Sequence, residues 1–129
     1  MNRVDEDAKA AYKNGIPSIR LPLKNINKTT LVGTGYLNAG VAGGDKDFFT
    51  FTNEINRTIN FSLTMPTPGM NGKVTFYDAK GKLIKAFDRY TANDDEVGSI
   101  FLNKGTYFIK VEDTNGQSDY DPYELDIKK

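Results

Sequence analysis

Two aspartates stand two residues apart in "GDKDFFTF", residues 44 to 51, directly ahead of an aromatic run. Residues of this type at this spacing can do one of two things. Carboxylates at alternate positions beside a glycine-rich bend can supply oxygens to a cation such as calcium, which takes about six to eight of them at roughly 2.3–2.6 Å. Equally, Asp side chains at a turn accept hydrogen bonds from nearby backbone N–H groups and hold the turn in shape. For Asp45 and Asp47 both readings stand. Two other acidic clusters point less clearly to a metal. "NDDE" at 93–96 reads as a solvated loop, and "DTNGQSD" at 113–119 has Gly116 too early for an EF-hand loop, whose Gly is the sixth residue.

What the chain lacks narrows its chemistry further. It has no His and no Cys, which removes the commonest general base, the usual transition-metal ligands, disulfides and thiol nucleophiles. No G-x-S-x-G or phosphate-cradling loop nominates a nucleophile with an activating base, so no enzymatic activity is expected. Lys plus Arg and Asp plus Glu both count 17, a formal net charge of zero, and a nucleic-acid partner is not expected. No apolar run is long enough to span a membrane, and the first residues are too polar for a signal peptide. Asn-x-Ser/Thr triplets at Asn27, Asn56 and Asn60 occur by chance in polar β-rich chains, and no function attaches to them.

The elements that must position any site follow from hydrophobic period. Val4, Ala8, Ala11 and Tyr12 recur at helical spacing before Asn14-Gly15, predicting one short N-terminal helix. Asp5, Glu6 and Asp7 fall in its first turn, where the helix dipole favours negative charge. Beyond Pro22 the period becomes two, most clearly in "TINFSLTM", where Ile59, Phe61, Leu63 and Met65 share one face. The same alternation runs through "KVTFY", "GTYFIKVE" and "YELDI". With "TLVGTGYL", "DFFTF", "KLIKAF" and "GSIFL" this predicts about eight short strands joined by Gly, Asn, Asp and Pro turns. Strands with one wet face need a second sheet over the dry one, so the fold expected is all-β, an antiparallel two-sheet β-sandwich of jelly-roll kind. At 129 residues there is one core. Residues 1–24 read as helix and linker, and residues 25–129 as the sandwich. Alternation turns Tyr107 and Tyr123 inward and leaves Tyr77, Tyr90, Phe108 and Tyr120 as outward aromatics.

Three stretches together carry a family resemblance. "GDKDFFTF" resembles an acid-x-Asp-aromatic-Phe-x-Phe strand, and "KVTFYDAKGKLI" a hairpin turning through a Gly. "LNKGTYFIKVED" followed by "YELDI" resembles a closing pair of strands. In this order, from about Thr30 to Ile127, the chain resembles the bacterial pre-peptidase C-terminal domain family, to which the collagen-binding modules of clostridial collagenases are similar. The resemblance implies a non-catalytic accessory module of a secreted bacterial peptidase, located outside the cell, which binds or positions a polymeric substrate, protein or polysaccharide, or packs on its parent enzyme. It also implies a calcium site, with Asp5, Glu6 or Asp7 from the first segment and Asp45 and Asp47 from the second as ligands. Calcium-binding relatives carry an Asn-rich extended segment where this chain reads as helix. From the aromatic face of collagen-binding relatives it further implies ligand contacts at Tyr77, Phe108 and Tyr120. The rival expectation is a spacer or assembly domain with no ligand of its own.

Overall fold

Period-two alternation becomes a pair of stacked sheets. The structure, a computed structural model, describes residues 12–13, 16–17, 20–21, 23–39, 44–66, 69–88, 95–119 and 121–129. Strands β1 (Tyr12–Lys13) and β2 (Ile16–Pro17) form a small antiparallel ribbon, and β3 (Lys24–Asn25) is equally short. The eight strands expected from the sequence follow: β4 (Thr30–Gly35), β5 (Lys46–Asn53), β6 (Arg57–Thr64), β7 (Gly72–Asp78), β8 (Leu83–Phe87), β9 (Glu96–Leu102), β10 (Gly105–Asp113) and β11 (Tyr123–Lys128). One sheet has the order β5-β10-β7-β8 and the other β3-β4-β11-β6-β9, every named pair antiparallel. The fold is an all-β, two-layer sandwich.

Among the described residues there is no helix. The helix expected over residues 4–12 otherwise lies outside them, and its last residue, Tyr12, is in β1, paired with Pro17. Two-residue pairing replaces helical spacing there.

Strands β4, β6, β10 and β11 alternate between buried and more exposed residues, whereas β5 and β7 also bury residues of the outer side. In β6 Ile59, Phe61 and Leu63 are buried while Thr58, Asn60 and Thr64 face water. In β10 Tyr107, Ile109 and Val111 are buried, as the alternation predicts, and in β11 Tyr123, Leu125 and Ile127. Burying such a side chain stabilises the fold by about 1.5–3 kcal/mol. At the centre the rings of Phe61, Phe76 and Phe87 meet with centroids 4.7 to 5.9 Å apart. Gly98 pairs with Phe61, and a Cβ there would lie 2.9 Å from atoms of both Phe61 and Phe87, so the ring cluster needs a bare backbone beside it.

Residues 20–21 and 23–25 contact both layers. Leu21 N–H donates to Phe48 C=O at 2.7 Å in a parallel bridge beside β5, Leu21 and Leu23 pack on the core, and β3 pairs with β4. One loop expectation needs correcting. Glu96, read as part of a solvated "NDDE" loop, starts β9 opposite Leu63 and is buried. The strand begins earlier than its apolar residues because pairing with β6 continues past them.

Candidate recognition face

Outward-pointing residues of the four-stranded sheet place Tyr77 and Phe108 side by side. They are direct cross-strand partners of the β7–β10 pair and both are half-buried. Neighbours of this kind interact at Cβ separations of about 4.5–5.5 Å. Phe48 of β5, on the same side but itself buried, has its ring centroid 6.0 Å from that of Tyr77. Two cations frame the rings. The Arg20 guanidinium lies 4.9 Å from the Phe108 centroid while its Nε donates to Thr50 Oγ1 at 3.0 Å. Lys110 Nζ is 5.7 Å from the Tyr77 centroid and forms an ion pair with Glu112 at 3.0 Å. Burial pulls the Lys110 ammonium down, but hydrogen bonds with Tyr77 and Glu112, together with the Glu112 charge, outweigh it and hold its pKa above the ordinary lysine value. The result is an aromatic surface with two cations against its rings, one of them, Lys110, already paired with Glu112. It can stack on apolar or planar groups.

Tyr120, the third expected contact, and Tyr90 lie outside the described residues. The sequence reading omitted three members of the face. Phe48 was within reach, because the inward Phe49 and Phe51 put it on the opposite side of β5. Lys110 alternates with Ile109 and Val111 in the same way. Arg20 sits in a Pro-containing stretch without period, and nothing local marks it.

The acids of the opening motif serve the end of the sandwich. Asp45 is buried, and its Oδ2 accepts from Asn38 N–H at 2.8 Å and from Asn38 Nδ2 at 3.2 Å, closing the β4–β5 connection. Asp47, opposite Val111 in β5, points inward and is 1% exposed. Its Oδ2 accepts from the Tyr123 hydroxyl at 2.6 Å, a bond that ties the two sheets together. A Cβ on Gly35, the partner of Tyr123 in β4, would collide with that hydroxyl, so glycine makes room for the bond. Asp113 plays a similar part in "DTNGQSD". Its Oδ1 accepts from Asn71 N–H at 2.7 Å, and its Oδ2 from Asn115 and Gln117 N–H, each at 2.9 Å.

Asp5 and Asp7 lie outside the described residues, as does Glu6. Among the described residues no group of three or more His, Cys, Asp or Glu is placed to hold a metal ion. Asp45 and Asp47 therefore do not by themselves assemble the six to eight or so oxygens that calcium takes.

The outer face of the five-stranded sheet is more polar. Glu124 and Asp126 lie two residues apart on β11, and the Asp126 charge, with a smaller contribution from burial, pushes the Glu124 carboxyl up from its ordinary value. A carboxyl raised in the folded state binds its proton more tightly there than in the unfolded chain. Ionisation therefore penalises the native state above the carboxylate range, and the penalty vanishes as pH falls below the unfolded value. Glu124→Gln is expected to raise the melting temperature at neutral pH, and the gap to the parent should close in acid. A gap that widens in acid would contradict this.

Comparison with known proteins follows this geometry. Residues 51–120, more than half of the chain, match the secretion system C-terminal sorting domain family, and the chain belongs to that family. No curated protein matches it. Among solved structures the fold is similar to the pre-peptidase C-terminal domain of collagenase from Bacillus anthracis. The two share 16% identity over 84% of this chain and 92% of that one, with a TM-score of 0.59. It is also similar to a periplasmic lysozyme inhibitor of g-type lysozyme from Aeromonas hydrophila, at 15% identity over 84% of this chain and 94% of that one and a TM-score of 0.57. The resemblance read from the sequence therefore holds at the level of fold. Among the described residues no helix is long and apolar enough to cross a membrane.

Proposed function

We propose that this chain is a non-catalytic sorting module of a secreted bacterial protein, and that a polypeptide partner recognises it through the aromatic face of the four-stranded sheet. The observation that carries this reading is the side-by-side placement of Tyr77 and Phe108, with Phe48 beside Tyr77, on an outward surface where alternation alone would allow polar residues. Tyr77 and Phe108 both fall within the span matched by the sorting family. Aromatic side chains with few rotatable bonds and a cation at the rim are the usual anchors of protein interfaces, because little entropy is lost when they are covered. The inner face and the Asp47–Tyr123 bond keep the layer rigid, so the surface is organised before a partner arrives. Export to the cell exterior follows from this role. A spacer would have no need of the aromatic face.

The test is a reporter protein fused to this chain in a bacterium whose secretion system handles sorting domains of this family. The parent fusion is expected outside the cell. Tyr77→Ala with Phe108→Ala should lower the exported fraction about tenfold or more, since loss of two anchors removes more than the 1.4 kcal/mol or so that a factor of ten requires. The purified double variant should keep a cooperative melt, because neither ring belongs to the core. Unchanged export would remove the proposal and favour the spacer. Normal export with lost retention on insoluble collagen or cell-wall material would reassign the face to a polymeric substrate.

A further inference from the structure

The edge of a sheet offers a row of backbone N–H and C=O groups to any other strand, and folded chains protect such edges with short strands, lysines, bulges or a covering segment. Three of the four edges of the two large sheets carry protection of this kind. β5 is covered by the parallel bridge from Leu21 to Phe49, with Leu21 N–H donating to Phe48 C=O. β3 is two residues long and begins with Lys24. β8 carries Lys85, and its register against β7 is irregular between Phe76 and Tyr77. The fourth edge, β9, has none of these devices. It runs for seven residues, "EVGSIFL", in unbroken register with β6, without Lys, Arg or Pro, and its charged residue, Glu96, is buried. Among the described residues no strand pairs with its other side. Val97 and Phe101, 38% and 61% exposed, flank the exposed Ser99 on its outer face.

We propose that β9 pairs antiparallel with β9 of a second copy of this chain, joining two five-stranded sheets across a twofold axis at Ser99. The strand is complementary to itself in this register. Residues opposed in an antiparallel pair share one face of the sheet, so outer residues must oppose outer ones. The register that uses all seven residues sets Ser99 opposite Ser99, Val97 opposite Phe101, and Gly98 opposite Ile100. Aromatic and β-branched side chains attract each other across strands, and the glycine leaves room for the isoleucine. Charge favours the same arrangement. Glu96 falls opposite Leu102, and the exposed Asp95, just ahead of the strand, falls opposite Asn103 and beside Lys104 of the other copy, both exposed. Parallel pairing would instead set Asp95 against Asp95. A contact of this kind uses the same patch on both copies and closes at two. It lies on the other sheet from the aromatic face and does not depend on its role.

The chain has no Cys, so a single introduced thiol reports the register. Opposed residues of an antiparallel pair have Cα atoms about 4.5–5.5 Å apart, within the roughly 4.4–6.8 Å that a disulfide spans. The full chain with Ser99→Cys should therefore form a disulfide-linked dimer rapidly under mild oxidation. With Phe101→Cys the two thiols are four residues out of step, about 13 Å or more apart, and the linkage should form about tenfold more slowly or less. Sedimentation of the parent chain at concentrations up to about 1 mM should show a concentration-dependent dimer. Ser99→Lys sets like charges face to face and should weaken that dimer about tenfold or more while the variant keeps a cooperative melt. Phe101→Lys, at an exposed position, carries this part of the test if Ser99→Lys does not fold. A parent chain that stays monomeric throughout would overturn the proposal. So would equal rates of disulfide formation at positions 99 and 101, or a dimer that neither lysine weakens.

Discussion

Phe76→Ala is expected to cost about 3–5 kcal/mol of folding stability. Phe76 is 0% exposed at the centre of β7, and its ring meets Phe61 at 5.6 Å and Phe87 at 5.9 Å, each in a tilted or edge-on arrangement. Removing it deletes the contact of both rings at once. The neighbours have little freedom to collapse into the space, because both flanking rings are held from opposite layers, Phe61 by β6 and Phe87 by β8. Domains have only about 5–15 kcal/mol in total, so the variant should sit near its unfolding threshold. Urea denaturation checks this: the midpoint should fall steeply while the slope stays close to the parent's. Leu83→Ala on edge strand β8, where the side chain is 56% exposed, provides the contrast and should change stability by no more than about 0.5 kcal/mol. Equal losses for the two variants would mean that the layers do not share the core described above.

The second large effect is expected where the two sheets are joined by a polar bond. Tyr123→Phe removes the hydroxyl that donates to Asp47 Oδ2 at 2.6 Å. Leaving a buried acceptor without its donor costs about 1–3 kcal/mol, and a loss in that range is expected. Asp47→Ala should cost at least as much, because it removes the carboxylate that the Tyr123 hydroxyl donates to and also opens space beside Gly35. The two losses should not add. In a double-mutant cycle the second substitution costs little once the first is made, and coupling of about 0.5–3 kcal/mol is the expected signature of a direct contact. Additive losses would show that the bond contributes nothing to holding the layers together.

These two sites also mark what could be read from the chain before its fold was known. The longer strands were legible where a dry side chain follows a wet one, as in Ile59, Phe61 and Leu63 against Thr58, Asn60 and Thr64. Inward Tyr107 and Tyr123 and outward Tyr77 and Phe108 followed from the same rule. Adjacency did not. β7 and β10 are sheet neighbours without being consecutive in the chain, so nothing within either strand reveals that Tyr77 faces Phe108. Asp47 and Tyr123 are 76 residues apart, and their bond exists only once two sheets are stacked in register. Local pattern is equally silent about Glu96, which is buried through pairing with β6, and about Leu21, whose bridge to Phe49 comes from a stretch with no period. The opening pair of acids is the clearest example. Spacing allowed either a turn or a cation; in the fold Asp45 accepts from Asn38 and Asp47 from the Tyr123 hydroxyl, while the first-segment acids of the calcium expectation lie outside the described residues. The triplet asparagines have local duties too: Asn27 Oδ1 accepts from Thr29 N–H, and Asn56 Oδ1 from Lys104 N–H.

The claim on which function turns is that one outer surface, the aromatic one, meets the partner. Site-directed photo-crosslinking in exporting cells tests it most directly, with a photoreactive side chain placed at position 77 in one fusion and at position 62, on the opposite sheet, in another. A discrete protein adduct from position 77 and none from position 62 is the result expected. An adduct from position 62 alone, or from neither while export proceeds, would contradict it.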